Sequence, residues 1–127
     1  MGGSYKTPLV LALARTLVAR GEPVTVHAHG YRSTKGAARC VGVRDSARTV
    51  GDDALWLFRE LSTLPVPVPV VVGRDRSCAL AFAATLAPLV VSDALLQTSP
   101  ERLALSILAL DAERPWGAGA CPPSRAR

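Results

Sequence analysis

Short runs of β-branched residues alternate with helical patterns along this chain, and this alternation limits the folds that it can adopt. Residues 70–72 are three consecutive valines, a run typical of a parallel strand buried on both faces. Residues 23–29 and 89–93 are predicted as two further strands. The spacing of apolar residues predicts helices over residues 7–20 and 77–86. Strands that alternate with helices in this order predict an α/β fold with a mostly parallel sheet and flanking helices.

The segments between these elements carry weaker patterns. Residues 38–43 are predicted as an additional short strand, and residues 45–51 as a loop. A further helix follows, with Asp52 or Asp53 as its N-cap. The apolar face of that helix is expected to carry Ala54, Leu55, Phe58 and Leu61.

The C-terminal part of the chain is less regular. Residues 103–110 are apolar and are predicted as either a strand or a short helix. Residues 112–127 are rich in proline, glycine and arginine and have no periodicity, which predicts a loose tail. We therefore expect one partial α/β domain over residues 1–111, followed by the tail.

The composition suits one small domain with a buried core. Of the 127 residues, 49% are hydrophobic, and no apolar run reaches the roughly 18 residues that cross a bilayer. The three cysteines are widely spaced and indicate neither a zinc site nor a disulfide framework. Without a signal-peptide pattern, we expect a cytoplasmic location. The net charge of +5 comes from dispersed arginines without interleaved aromatic residues, so nucleic-acid binding is not expected.

The first residues of the chain have the layout of a phosphate-binding loop. Gly2, Gly3 and Ser4 are followed by Lys6 and Thr7 at the start of the first predicted helix. In such a loop, backbone N–H groups contact the phosphates, the lysine reaches the β- and γ-phosphate oxygens, and the threonine hydroxyl ligates Mg²⁺. The alternative is an ordinary helix start, with Thr7 as N-cap and a proline as the first helical residue.

Charged residues follow the predicted strands at the ends where ligands bind in a parallel sheet. Arg74 and Arg76 come after the valine run, and Asp93 ends the strand at residues 89–93. We expect these side chains to share one edge of the sheet with Lys6 and Thr7. His27 and His29 fall on one face of a predicted strand, but the sequence offers too few further ligands to favour a metal site there.

Seven segments occur in the order and spacing of known motifs. Residues 2–8 read G-G-S-Y-K-T-P, similar to G-G-x-G-K-T-P, and residues 28–31 and 34–36 read A-H-G-Y and T-K-G, similar to S-R-G-Y and S-K-G. Residues 50–57 read V-G-D-D-A-L-W-L, similar to V-G-D-E-P-x-L-L, and residues 70–76 read V-V-V-G-R-D-R, similar to V-V-V-G-x-D-R. Residues 93–98 and 111–119 read D-A-L-L-Q-T and D-A-E-R-P-W-G-A-G, similar to D-D-G-x-Q-H and D-A-x-R-x-F-G-N-G. Together they resemble the tetraacyldisaccharide 4'-kinase, or lipid A 4'-kinase, family.

This resemblance implies a P-loop kinase-like fold that lacks the family's first strand and its C-terminal half. It implies ATP-dependent phosphorylation, with Mg²⁺, of the 4'-hydroxyl of a tetraacyldisaccharide 1-phosphate, the lipid A disaccharide precursor. A P-loop kinase of this kind needs a loop and a lysine for the phosphates, a metal ion, and a carboxylate for the attacking hydroxyl. The resemblance also implies a place at the cytoplasmic face of the bacterial inner membrane, with peripheral contact to it.

Carried over by position, the resemblance implies a role for each matching residue. The catalytic carboxylates are Asp52 and Asp93, and the metal ligands are Thr7 and Asp93. The residues expected to bind ATP are Gly2, Gly3, Ser4, Lys6 and Thr7. The residues expected to contact anionic groups of the substrate are Tyr31, Lys35, Arg74 and Arg76.

Several positions depart from the family's motifs. Tyr5 stands where the phosphate loop has a glycine, His29 where S-R-G-Y has an arginine, and Ala94 where D-D-G has its second aspartate. These departures leave open a second hypothesis, a non-catalytic remnant that binds nucleotide or anions, or nothing. A third hypothesis is a basic adaptor for anionic lipid or nucleic acid.

Overall fold

The computed structural model describes residues 5–29, 37–93 and 103–109, and it confirms an α/β fold. Four helices flank a single four-stranded sheet within these residues. In chain order the elements are α1 (Lys6–Ala19), β1 (Val24–His27), β2 (Arg39–Cys40), α2 (Ala47–Val50), α3 (Asp52–Leu61), β3 (Val70–Val72), α4 (Arg76–Leu86) and β4 (Leu89–Ser92).

The sheet has the order β2-β3-β1-β4 and is mostly parallel. β1 lies between β3 and β4 and is parallel to both, whereas the two-residue β2 is antiparallel to β3 at one edge. Every residue of β1 and β3 is buried. This agrees with the prediction from the valine run, because strands covered on both faces need apolar residues in succession.

The two faces of the sheet are covered differently. α1 and α3 pack together on one face, where Val26 and Val70 belong to one apolar cluster with residues of both helices. α4 covers the other face, where Val71 packs against Ala79 and Ala83. Neighbouring residues of a strand point to opposite faces, so the consecutive valines of β3 supply both layers. The smaller layer under α4 also contains polar side chains of β1, which become important at the site.

α2 lies in a segment for which we predicted a loop, so that prediction is wrong. Ser46 is the N-cap, and a reciprocal capping box joins it to Thr49. α3 also begins differently from the expectation, because its N-cap is Gly51 and not Asp52 or Asp53. The two aspartates occupy the first turn instead, where their negative charge interacts favourably with the helix dipole.

The prediction of a strand or helix at residues 103–110 is wrong over the part that is described. Residues 103–109 form neither, and their large apolar side chains are exposed; Leu105, for example, is 77% exposed. An apolar run becomes a strand only when another strand pairs with it, and these residues pair with none of the described strands. The predicted tail at residues 112–127 lies outside the described residues. None of the helices in the described part of the chain is both long and apolar enough to cross a membrane.

Candidate phosphate and metal site

Asp93 forms the centre of a polar cluster at the carboxyl end of β4. The Thr7 hydroxyl donates a hydrogen bond to Oδ2 of Asp93 at 3.2 Å, and Lys6 Nζ lies 3.7 Å from Oδ1. The backbone N–H of Asp93 donates to the carbonyl of His27 at 2.9 Å, which continues the pairing of β4 with β1. The structure therefore brings together three of the residues expected at this edge: Lys6, Thr7 and Asp93.

The carboxylate of Asp93 is buried, with its side chain only 5% exposed, whereas the side chain of Lys6 is 48% exposed. Oδ1 accepts no hydrogen bond from any described residue. Burying an unpaired carboxylate is costly, so the nearby ammonium group of Lys6 offsets part of that cost. The half-exposed lysine remains able to reach a ligand in solvent.

The oxygen atoms of Asp93 and Thr7 fit a hard divalent cation. Mg²⁺ is usually held by one or two carboxylates together with phosphate oxygens and water, not by a cage of protein ligands. The described residues contain no group of three or more His, Cys, Asp or Glu side chains that could hold a metal. The buried Oδ1 of Asp93, which has a charge but no hydrogen bond, is the atom best suited to such an ion.

Tyr5 is the N-cap of α1 and has a left-handed backbone conformation, with φ 49° and ψ 19°. This conformation disfavours a residue with a Cβ atom by about 1 kcal/mol. Tyr5 supplies no side-chain hydrogen bond to cap the helix, and the first turn of α1 contains no acidic residue. The partial positive charge at the N-terminus of α1 is thus not neutralised by side chains of this helix. The alternative prediction of Thr7 as N-cap is wrong, because Thr7 lies inside the helix and its hydroxyl contacts Asp93.

His27 is fully buried beside this cluster, on the face of the sheet that α4 covers. A hydrogen bond of 2.6 Å joins its Nδ1 to Oγ of Ser92, its neighbour in the pairing of β1 with β4. Its Nε2 has no hydrogen-bond partner among the described residues. Burial lowers the pKa of His27 to about 4, and the positive charge of Arg76 adds to this effect. His27 is therefore neutral near pH 7.

His29 and Arg76 meet at the same edge. Nε of Arg76 donates to Nδ1 of His29 at 3.4 Å, which places the half-buried guanidinium beside the end of β1. Partial burial lowers the pKa of His29, and Arg76 and Lys6 lower it further. Arg74 is exposed in the turn after β3. Of the other residues expected to bind ligand, Gly2, Gly3, Ser4, Tyr31 and Lys35 lie outside the described residues.

Asp52 begins α3, and α3 lies beside α1 on the sheet. Nη2 of Arg15 and Oε2 of Glu60 form an ion pair of 2.8 Å between the two helices. Arg15 lies about 13 Å along α1 from Lys6, and Glu60 about 12 Å along α3 from Asp52, at about 1.5 Å per residue. Because both helices lead back to the starts of parallel strands, they run in the same direction, and their N-termini lie at the same end of the pair.

Packed helices have axes about 8–10 Å apart where they touch, and Lys6 and Asp52 are the first residues of two such neighbouring helices. Asp52 is exposed and makes no hydrogen bond or ion pair with Lys6, Thr7 or Asp93 in the described structure. The packing of α1 against α3 does not by itself assign a role to Asp52.

Sequence reasoning missed the pairing of His27 with Ser92 and the contact of His29 with Arg76. Both depend on strand register, which no local pattern specifies. The only signal was the period-two spacing of the two histidines, and it was misleading, because β1 ends at His27 and His29 lies beyond it.

The chain resembles one enzyme family over nearly all of its length. Residues 1–124 match the family described as Tetraacyldisaccharide-1-P 4'-kinase. The chain is 38% identical to the tetraacyldisaccharide 4'-kinase of Chromobacterium violaceum over 127 residues, which cover 98% of this chain and 36% of the relative. It is 38% identical to that of Thiobacillus denitrificans over 123 residues, which cover 93% of this chain and 35% of the relative.

A third relative, the tetraacyldisaccharide 4'-kinase of Bradyrhizobium diazoefficiens, is 35% identical over 126 residues, covering 98% of this chain and 35% of the relative. The chain thus spans about a third of the length of these relatives. No solved structure is significantly similar to it. On the match over residues 1–124, the chain belongs to the tetraacyldisaccharide-1-P 4'-kinase family.

Proposed function

We propose that this chain carries the phosphate-binding part of a lipid A 4'-kinase. The reaction is transfer of the γ-phosphate of ATP, with Mg²⁺, to the 4'-hydroxyl of a tetraacyldisaccharide 1-phosphate. The observation that carries the proposal is the contact of Lys6 and Thr7, at the start of α1, with the buried carboxylate of Asp93. Family membership supplies the reaction class.

In this proposal Lys6 contacts the β- and γ-phosphate oxygens, and its charge opposes the negative charge that spreads over the transferred group. The residues Gly2, Gly3 and Ser4 contribute backbone N–H groups to the same phosphates. Thr7 and Asp93 hold the Mg²⁺ ion, which supplies charge neutralisation for the phosphates when it is bound. The capacity of Asp93 Oδ1 to accept a further partner supports this assignment.

Asp52 is proposed as the carboxylate that orients the acceptor hydroxyl and accepts its proton. A general base must come within hydrogen-bond reach of that proton when substrate is bound. α3 lies beside α1, and both helices begin at the same end of the pair, which supports this role. Asp93 acts in the same step by keeping Lys6 and Thr7 in place.

Anionic groups of the disaccharide are proposed to contact the basic side chains along the same edge. Nε of Arg76 donates to the neutral imidazole of His29, so the two terminal nitrogens of Arg76 remain available to a ligand. Arg74, Tyr31 and Lys35 are the further contacts proposed. A peripheral position on the cytoplasmic face of the inner membrane belongs to the same proposal, and the exposed leucines of residues 103–109 are suited to it.

The proposal is tested by incubating the purified chain with radiolabelled γ-phosphate ATP, Mg²⁺ and a tetraacyldisaccharide 1-phosphate in mixed micelles. Transfer of label to the lipid is expected, and it should be lost in the Asp52→Ala and Lys6→Ala variants. Asp53→Ala is the matched control, because Asp53 occupies the same first turn of α3. Equal activity in the Asp52→Ala and wild-type proteins would contradict the role of Asp52.

One observation favours a second candidate, a non-catalytic remnant that binds nucleotide or anions. Tyr5 has a left-handed conformation at the position where the family's loop has a glycine, and its side chain is exposed beside the phosphate site. A folded chain that binds Mg-ATP through Lys6 without transferring phosphate would identify this candidate. Binding of anionic lipid or nucleic acid that is independent of Lys6 would instead indicate a basic adaptor.

A further inference from the structure

A dense polar network lies between β2 and α2, away from the Asp93 cluster. Asp45 accepts two hydrogen bonds of 2.7 Å from Arg39, one on each carboxylate oxygen. It also accepts the backbone N–H of Gly42 at 2.9 Å and is within 3.0 Å of the Thr49 hydroxyl. We call Arg39, Asp45 and Thr49 the β2–α2 clasp. Paired, charge-assisted hydrogen bonds of this kind restrict orientation as well as distance.

Thr49 connects the clasp to the helix. Its Oγ1 accepts the backbone N–H of Ser46 at 2.9 Å, and its proton is within reach of both Asp45 Oδ1 and the carbonyl of Ser46. The hydrogen bond from Thr49 to Asp45 thereby joins the capping box to the Arg39–Asp45 pair. A four-residue helix is too short to be stable by itself, so α2 depends on these contacts.

The clasp leads directly to Asp52. Val50, the last residue of α2, is fully buried, and the next residue, Gly51, has φ 91° and ψ 154°. Only glycine adopts this conformation readily, and it turns the chain from the end of α2 into the start of α3. The Gly51 N–H donates to Ala47, and the Gly51 carbonyl accepts from Leu55, so one residue is bonded to both helices. Between the clasp and Asp52 there are thus two residues, the buried Val50 and the doubly hydrogen-bonded Gly51.

The clasp is not needed to anchor α3 itself. Ala54, Leu57 and Leu61 are fully buried against the sheet and α1, whereas Arg39 is about half exposed on an edge strand. Removing the clasp should therefore loosen the α2–α3 junction and leave the core intact. This distinguishes the clasp from an element that merely stabilises the fold.

We infer that the β2–α2 clasp positions Asp52 for the acceptor hydroxyl, through the hydrogen-bonded α2–Gly51–α3 junction. This inference rests on the proposed function, in which Asp52 is the carboxylate that meets the acceptor. Arg39, Asp45 and Thr49 are positioning residues and contact neither nucleotide nor acceptor. Arg39 holds the pKa of Asp45 well below its usual range, so the clasp stays charged at neutral pH.

The test compares Thr49→Val, which removes the hydroxyl at nearly constant volume, with Thr49→Ser, which keeps it. Asp45→Asn is a second variant that removes the charge. Amide hydrogen exchange of Val50, Gly51 and Leu55 is expected to be about tenfold faster in Thr49→Val and Asp45→Asn. Exchange of Val26 and Ala28 in the sheet should be unchanged, and Thr49→Ser should behave as wild type. Arg15→Ala, which removes an ion pair at the far end of α3, is the matched control.

Two further readouts report the position of Asp52. The carboxyl-carbon chemical shift of Asp52 should move in Thr49→Val and return in Thr49→Ser. In the transfer assay, kcat should fall about tenfold in Thr49→Val while the KM for Mg-ATP stays within about twofold, because the Asp93 cluster is untouched.

The outcomes separate the inference from the proposed function. If the wild-type chain transfers no phosphate, the proposed function fails, and the exchange rates and the Asp52 chemical shift still decide whether the clasp positions this residue. Unchanged exchange at the junction, or an unmoved Asp52 signal, would overturn the inference. Unchanged kcat in Thr49→Val in an active wild-type background would overturn it as well.

Discussion

Acidification below neutral pH is expected to destabilise this fold through His27. The imidazole is completely buried, its Nδ1 is hydrogen bonded to Ser92, and its Nε2 has no partner among the described residues. Burial is the main cause that lowers its pKa from 6.5 to about 4. The positive charge of Arg76 lowers it further, as does His29 when it is protonated, and the carboxylate of Asp93 acts in the opposite direction.

The direction in which stability changes with pH follows from the number of protons bound by the folded and unfolded chains. Between about pH 6.5 and pH 4, the unfolded chain binds a proton at His27 that the folded chain does not bind, so the free energy of unfolding decreases as the pH falls. The lowering of the His27 pKa from 6.5 to about 4 corresponds to a change of about 3 kcal/mol in the free energy of unfolding. About 2 kcal/mol of this stability is already lost at about pH 5. For a domain of this size, that is a substantial part of the total stability.

The assay is urea unfolding, followed by circular dichroism, at a series of pH values from about 7.5 to about 4.5. His27→Leu removes the ionisable ring and fills much of its volume, so its free energy of unfolding should vary much less over this range. His29→Asn is the control for the second histidine, whose pKa is also lowered. Equal losses of stability in wild type and His27→Leu would refute the reasoning.

Three other perturbations give separate predictions. Tyr5→Gly should stabilise the chain by up to about 1 kcal/mol in thermal unfolding and strengthen Mg-ATP binding, because Tyr5 has a φ of 49°; no gain in affinity would count against the phosphate-loop assignment. Gly73→Ala should destabilise the fold by about 1–3 kcal/mol in urea, since its Cβ would lie 3.0 Å from Cβ of Ala79 and 3.2 Å from Cα of Ala38; an unchanged unfolding midpoint would contradict this close approach. The pKa of Asp45 is lowered mainly by Arg39, so protonation of Asp45 should reduce the free energy of unfolding only below about pH 4. Asp45→Asn should abolish this loss of stability at low pH; a loss that persists in the variant would show that other carboxylates cause it.

The elements that the sequence predicts well are those whose stability comes from their own apolar pattern. The valines of β3 and the spacing along α1 and α4 are sufficient, because each element buries a continuous apolar surface. α2 could not be predicted in this way. Its four residues depend on Arg39, an edge-strand residue that meets Asp45 only after β2 pairs with β3.

The candidate site was predictable to the extent that topology determines it. The rule that ligands bind at the carboxyl ends of parallel strands placed Asp93 with Lys6 and Thr7, which the structure shows in contact. The environment of His27 was not predictable, because it depends on the register of β1 against β4 and on the small side chains of α4 above it. The roles of these residues in binding and transfer remain predictions.

The central claim, that Lys6, Thr7 and Asp93 bind a magnesium nucleotide, is tested most directly by titrating Mg-ATP into the purified chain by calorimetry. Lys6→Ala and Asp93→Asn are measured beside wild type, with Arg15→Ala as a control that removes a distant charge. Saturable binding that requires Mg²⁺, is lost in Lys6→Ala and Asp93→Asn, and persists in Arg15→Ala is the predicted result. A folded wild-type chain that binds no Mg-ATP, or that binds it equally well without Lys6, would contradict the claim.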